Sequence, residues 1–316
     1  MPPTGIFLVG SNPTTTTDKV ITIVQLVYGI PSVMVMIFLL FFLGFGKSYK
    51  NSFYRLVQLD LLTNILCYLN TWLALRISST GPAGITLLTT IQTTFPGLLD
   101  FSSMLITFFM HMQFLTATAL NIHRITSVVY ITSYDKYWSR WYPVVGLVCV
   151  VYSGIPVFTV NGRSYEYDVV NGSLVDYWYS DVIERSLFQT AVFSAVYFVL
   201  LLFISISTYI IVSRKIKTFT DNDRGIIKKL TKISLIYCSI YTGILFWSIL
   251  ETINNSIGFA PDFIFRIHSE LLMFLSDLVT LALPYILLLN DRNIRRDLKG
   301  FCRTPTGVGP RVVSVT

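Results

Sequence analysis

Three histidines, His111, His123 and His268, are the side chains best suited to metal chemistry in this chain. His111 and His123 stand twelve positions apart in one apolar run, roughly 18 Å at the helical rise of about 1.5 Å per residue. His268 is expected near the opposite end of the fold, so the three cannot share one zinc ion. No nucleophile with a nearby base stands out either. The expectation is no catalytic residue, no metal, no cofactor and no enzyme. A retinal Schiff base would need a lysine in the last apolar run, and residues 265–290 contain none.

What remains is electrostatics. Asp60 interrupts "FYRLVQLDLLTNI" and Asp277 interrupts "FLSDLVTLALPY". A charge in hydrocarbon costs a few kcal/mol or more, about the price of several buried methylenes, so such residues turn toward other helices. Two readings stay open: a polar core whose rearrangement moves helices, or a pair of carboxylates that only specify packing. Asp100, Trp247, Glu251, His268 and Glu270 fall toward one end of their runs. They suit a pocket between helices or anchoring at a membrane interface.

These residues need helices to hold them, and the composition says what kind. Of 316 residues, 53% are hydrophobic and 13% charged, against about a quarter charged in soluble domains. Apolar runs reach the roughly 20 residues that cross a bilayer as helix. The expected fold is all-α, a multi-pass bundle of seven transmembrane helices at about 20–45, 53–77, 97–130, 142–160, 187–214, 232–253 and 265–290. Residues 1–19 form an outer segment without a cleavable signal peptide, and 291–316 form a tail. The links read as "GKSYKNS", a Thr/Gly/Pro loop after Ser78, "ITSYDKYWSRW", a long polar loop 161–186, a basic loop 215–231 and "NNSIGFAPDFI".

Direction follows from the basic residues. Nineteen of the 24 lysines and arginines lie on the first, third and fifth links and the tail. Basic residues stay in the cytoplasm during insertion, so the amino terminus is expected outside and the carboxyl terminus inside. The net charge of +7 then marks orientation rather than nucleic-acid binding. Sequons at Asn171 and Asn254 fall on the outer side, whereas Asn12 is followed by proline. Arg124 lies at the inner mouth of the third helix. Ile294, Leu298 and Phe301 recur at helical spacing in the tail, predicting a short amphipathic helix on the inner leaflet, with Cys302 as a palmitoylation candidate.

Four local patterns add a resemblance. "YGIPS" at 28–32, "SFYRL" at 52–56, "LNIHRITSVVY" at 120–130 and "YDKYWSR" at 134–140 resemble the nematode serpentine receptor class gamma chemoreceptors, with class V as a near sibling. The resemblance runs from about Tyr28 to Phe301. It implies a G-protein-coupled receptor in the plasma membrane of a sensory neuron that detects a small chemical and signals through a heterotrimeric G protein. By that likeness Arg124 is the coupling arginine, and the basic link with Lys215, Lys217, Lys228 and Lys229 suits a G-protein surface as well as anionic lipid. Departures are visible beside rhodopsin-like receptors. His123 stands where an acid usually precedes the arginine, "LALPY" replaces an Asn-Pro motif, and the helix-three cysteine bridge is missing. A transporter or ligand-gated channel is the alternative, although neither internal repeats nor paired broken helices are visible.

Overall fold

The computed structural model describes residues 5–9, 16–130, 133–159, 165–215 and 262–303, with helical positions at 232, 236, 239–243, 245–247, 249 and 253. The span expected at 232–253 is therefore described only in part. In chain order the elements begin with β1 (Gly5–Leu8), α1 (Thr16–Phe45), a 3-10 turn (Lys47–Tyr49) and α2 (Ser52–Thr71). A π-helical turn (Trp72–Arg76), a 3-10 turn (Ile77–Thr80), α3 (Pro82–Thr94), α4 (Leu98–Val129) and α5 (Tyr134–Thr159) follow. Last come β2 (Tyr165–Val170), β3 (Ser173–Trp178), α6 (Ser180–Lys215), α7 (Asp262–Asn290) and α8 (Arg292–Arg303).

Segments of α1, α4, α5, α6 and α7 are long and apolar enough to cross a bilayer. The distribution of polarity is inverted relative to a soluble protein. Asp60, Asn64, Gln113, Thr116 and Asn121 are buried, while Phe41, Phe158, Val199 and Phe203 are exposed. An apolar exterior on this scale fits a lipid solvent. The α2 helix explains its own polarity, because it packs against α1, α4, α5 and α7 and so faces protein. Its first turn is capped by Asn51, whose Oδ1 accepts from the Tyr54 amide at 3.2 Å.

Several links expected as loops are structured. The segment "YDKYWSR" belongs to α5, which begins at Tyr134 rather than 142. Trp138 fastens it to α4, donating from Nε1 to Thr126 Oγ1 at 2.7 Å with its ring 4.7 Å from His123. The expected Thr/Gly/Pro loop after Ser78 contains α3, with Pro82 in its first turn. Its threonines return their hydroxyls to the backbone, Thr86 to Pro82, Thr90 to Thr86 and Thr94 to Thr90. The span expected at 53–77 ends as regular α-helix at Thr71 and continues through the π turn.

The expected polar loop 161–186 holds a hairpin and the start of α6. β2 and β3 are joined through Asn171 (φ 52°) and Gly172 (φ 77°), the two positive-φ residues of a type I′ turn. β1 adds to the other edge of β3, giving an antiparallel sheet ordered β1-β3-β2. Leu174 of β3 is buried with Leu88 and Leu99, forming a small second core under the sheet. The sheet caps one end of the bundle, while the 3-10 turn at 47–49 and α8 close the other.

Candidate functional site

Four helices, α1, α2, α4 and α7, bring polar side chains together in three layers. The layer at the α8 end is built by consecutive residues of "SFYRL". Successive helical positions point about 100° apart, so Ser52, Phe53 and Tyr54 meet three different partners. Ser52 Oγ lies 3.0 Å from His123 Nε2. The Phe53 ring centroid lies 3.2 Å from the Arg124 guanidinium carbon. Tyr54 donates to Asp291 Oδ2 at 2.8 Å.

Arg124 is 7% exposed. It has no ion pair among the described residues, and its buried Nη2 lacks a hydrogen-bond partner there. An aromatic face is what holds this cation, an interaction worth about 2 kcal/mol or more when desolvated. Asp291 instead serves the tail. Its Oδ1 accepts from the Asn293 and Ile294 amides at 2.9 and 3.3 Å, capping α8. Tyr49 adds a second tie by donating to Asp297 at 2.8 Å. Burial and that carboxylate raise the Tyr49 phenol above its usual range, so it remains a donor. Ile294 is fully buried and Leu298 packs on the core, so the apolar side of α8 faces the bundle. Arg292, Arg295, Arg296 and Lys299 line a basic recess on its surface.

In the middle layer Asp60 is fully buried. It accepts from Thr116 at 2.5 Å and from Asn64 at 3.1 Å. Gln113 Nε2 donates to Asn64 Oδ1 at 2.7 Å and to Thr280 at 3.1 Å, joining α2, α4 and α7. One turn along α7 is Asp277, the centre of the third layer. Its Oδ1 takes Arg76 Nη2 at 2.5 Å and its Oδ2 accepts from Tyr28. Tyr28 belongs to "YGIPS", as does Ser32, which is 2.8 Å from Tyr285 of α7. Asn64, Gln113 and Thr280 thus carry the network from Asp60 to α7, one helical turn from Asp277.

The remaining sequence candidates are dispersed. Asp100 Oδ1 accepts from the Tyr167 amide at 2.8 Å, tying the hairpin to α4. Trp247 is half-buried. Glu251, Asn254, Lys217, Lys228 and Lys229 lie outside the described residues, as do the side chains of Lys215, Glu270, His268 and Cys302. Asn171 is exposed at the hairpin turn. His111 sits 2.6 Å from the Tyr197 hydroxyl, far along α4 from His123 and its Ser52.

Phe53, Tyr54, Tyr28, Arg76 and Asp291 were not among the residues singled out from sequence. Two recurrent patterns pointed at the first three, since the local motifs that carry the resemblance are the ones that interlock here. Arg76 gave a weaker signal: one arginine closing "CYLNTWLAL", with Trp72 one turn and Tyr68 two turns before it.

Comparison with known proteins places this arrangement. The family model described as Srg family chemoreceptor matches residues 22–298. The chain belongs to the Srg chemoreceptor family. Serpentine receptor class gamma-47 of Caenorhabditis elegans is 37% identical over 292 residues, 92% of each chain. Serpentine receptor class gamma-53 of the same organism is 27% identical over 284 residues, 88% of this chain and 91% of that one. The Srg match runs from α1 into α8 and encloses all three polar layers. It supplies the seven-helix membrane bundle of a serpentine receptor, of which the helical positions between 232 and 253 are the remaining member. Receptor, rather than transporter or channel, is the class the family assigns.

Proposed function

We propose that this Srg chemoreceptor couples a small chemical in the sheet-capped half of the bundle to a heterotrimeric G protein at the α8 end. The amino terminus lies outside the plasma membrane of a sensory neuron and the tail inside. The concentration of basic residues on the links at the α8 end supports that direction, and a glycan on exposed Asn171 fits it.

The observation that carries the mechanism is the seat of Arg124. A buried guanidinium on an aromatic face, without a bonded carboxylate among the described residues, is held by a modest and breakable contact. Ligand binding between the outer halves of the helices shifts the population toward an arrangement in which Arg124 leaves Phe53 and meets the G protein. The basic link that carries Lys215, Lys217, Lys228 and Lys229 supplies further positive charge for the same partner. Asp60, Gln113 and Thr280 relay the change, because α2, α4 and α7 cannot shift independently while they share these bonds. Asp100 and Trp247 border the ligand end, with Glu251 and Glu270 in the adjoining segments. A palmitate on Cys302 would pin α8 to the inner leaflet.

The test is expression of the full chain in cells carrying a G-protein dissociation sensor, followed by exposure to volatile and water-soluble chemicals. Ligand-dependent dissociation is expected. Solute uptake or current without any G-protein response would contradict the proposal.

A further inference from the structure

The outer polar layer contains more donors than acceptors. Arg76 is 2% exposed, and only Nη2 of its guanidinium is bonded, to Asp277. Its Nε and Nη1 are buried without partners among the described residues. Gln25, 3% exposed, has its Nε2 in the same condition. The two residues adjoin one ring: the Arg76 guanidinium carbon lies 5.3 Å from the Tyr68 centroid, the Tyr68 hydroxyl donates to the Gln25 backbone carbonyl at 3.4 Å, and Gln25 stands one helical turn before Tyr28, which bonds Asp277. Trp72 forms a second aromatic wall, 5.5 Å from the same carbon.

The backbone here is also unusual. Residues Trp72–Arg76 form a π-helical turn, closed by the Ile77 amide on the Trp72 carbonyl. Such turns are rare and recur at functional sites. This one packs on α4 and ends on the buried Arg76 itself, whose side chain reaches Asp277 of α7.

We propose that Arg76 and Gln25 form a recognition subsite for an uncharged hydrogen-bond acceptor, a ketone or ester carbonyl, with Tyr68 and Trp72 against the ligand's apolar body. The inference rests on the chemoreceptor reading above and names the chemical class of its ligand. Charge decides between acceptors. Arg76 and Asp277 already neutralise one another, and Tyr28 occupies the other carboxylate oxygen. A ligand carboxylate would leave a net negative charge buried, and an ammonium would face donors. A carbonyl oxygen takes two of the unbonded N–H groups without adding charge. Trp72 is half-buried, so the subsite lies one side chain below the surface.

The experiment uses the full-length receptor with the G-protein sensor and a matched series: methyl pentyl ketone, methyl hexanoate, hexanoic acid, hexylamine and heptane. Wild type is expected to respond to the ketone and ester at concentrations about tenfold or more below those needed for the other three, as expected for a hydrogen bond from a charged donor. Arg76→Lys keeps a cation for Asp277 but removes the planar donors. Gln25→Leu leaves the ion pair untouched. Each is expected to erase most of the carbonyl preference, with surface expression monitored in parallel. A wild type that responds best to the acid, amine or alkane overturns the subsite while preserving the receptor. Carbonyl preference retained in both variants overturns it equally. Absence of a G-protein response to every compound, together with failure in the broader chemical screen, would remove both readings.

Discussion

Among the described residues two arginines are buried, and they are held in opposite ways. Arg76, at the sheet-capped end, is locked to Asp277 by an ion pair at 2.5 Å, and Tyr28 is bonded to the same carboxylate. Arg124, at the α8 end, rests on the Phe53 ring, while the nearby acid Asp291 is engaged by Tyr54 and the α8 cap. Burial is similar and restraint is not. A buried ion pair resists removal of either partner, because the survivor is left charged in a poor solvent for charge. A cation on a ring can leave for another surface at lower cost. One arginine therefore suits holding helices and receiving a ligand, and the other suits switching.

The sharpest way to break this contrast is Asp277→Ala. It strands the Arg76 charge and is expected to cost about 3–5 kcal/mol, seen as a large loss of thermal stability in lipid nanodiscs and of surface expression. The double change Arg76→Met with Asp277→Leu should recover most of that loss, since it removes both charges. A single variant as stable as wild type would show that the pair carries no structural weight.

Next comes Phe53→Leu, which keeps an apolar side chain but removes the ring. Loss of about 2 kcal/mol of resting-state restraint should raise ligand-independent signalling up to roughly thirtyfold in the underlying equilibrium. Phe53→Trp should hold basal signalling at or below the wild-type level. Equal basal signalling in all three proteins would detach Arg124 from Phe53 as a switch.

Tyr54→Phe is smaller. It removes one bond to a carboxylate, about 1.5 kcal/mol, and should accelerate hydrogen exchange in α8 without unfolding the bundle. The smallest effect belongs to the sheet at the capped end. Burial, with the Asp100 charge adding to it, raises the Asp176 carboxyl to about 6 from 3.8. The folded state therefore binds the proton more tightly than the unfolded one, so stability falls as pH rises between about 4 and 6. Hydrogen exchange in β3 should be slower at pH 5 than at pH 7.5 after correction for intrinsic rates, and Asp176→Asn should flatten that difference.

How much of this was legible in the sequence differs between the two ends. Apolar run lengths placed α1, α4, α6 and α7, three of the four local patterns marked the residues that interlock around Arg124, and "YGIPS" marked Tyr28 beside Asp277. The α5 start was missed because its amphipathic first turns carry Lys136 and Arg140 and read as a loop; Trp138 binds them to α4 through a contact that no local period reveals. The hairpin had a readable signal, Asn171-Gly172 between alternating strands, that was passed over in favour of the polar composition. The π turn has no sequence signature. The partners of Asp277 and Tyr54 come from 201 and 237 positions away, distances over which a single sequence gives no pairing.

The central claim is that Arg124 carries the signal outward from the bundle to the G protein. Agonist-driven G-protein dissociation, measured for Arg124→Ala against wild type at matched surface expression, tests it most directly. Loss of the response with normal expression is expected. An undiminished response would contradict the claim and leave Arg124 as an anchor.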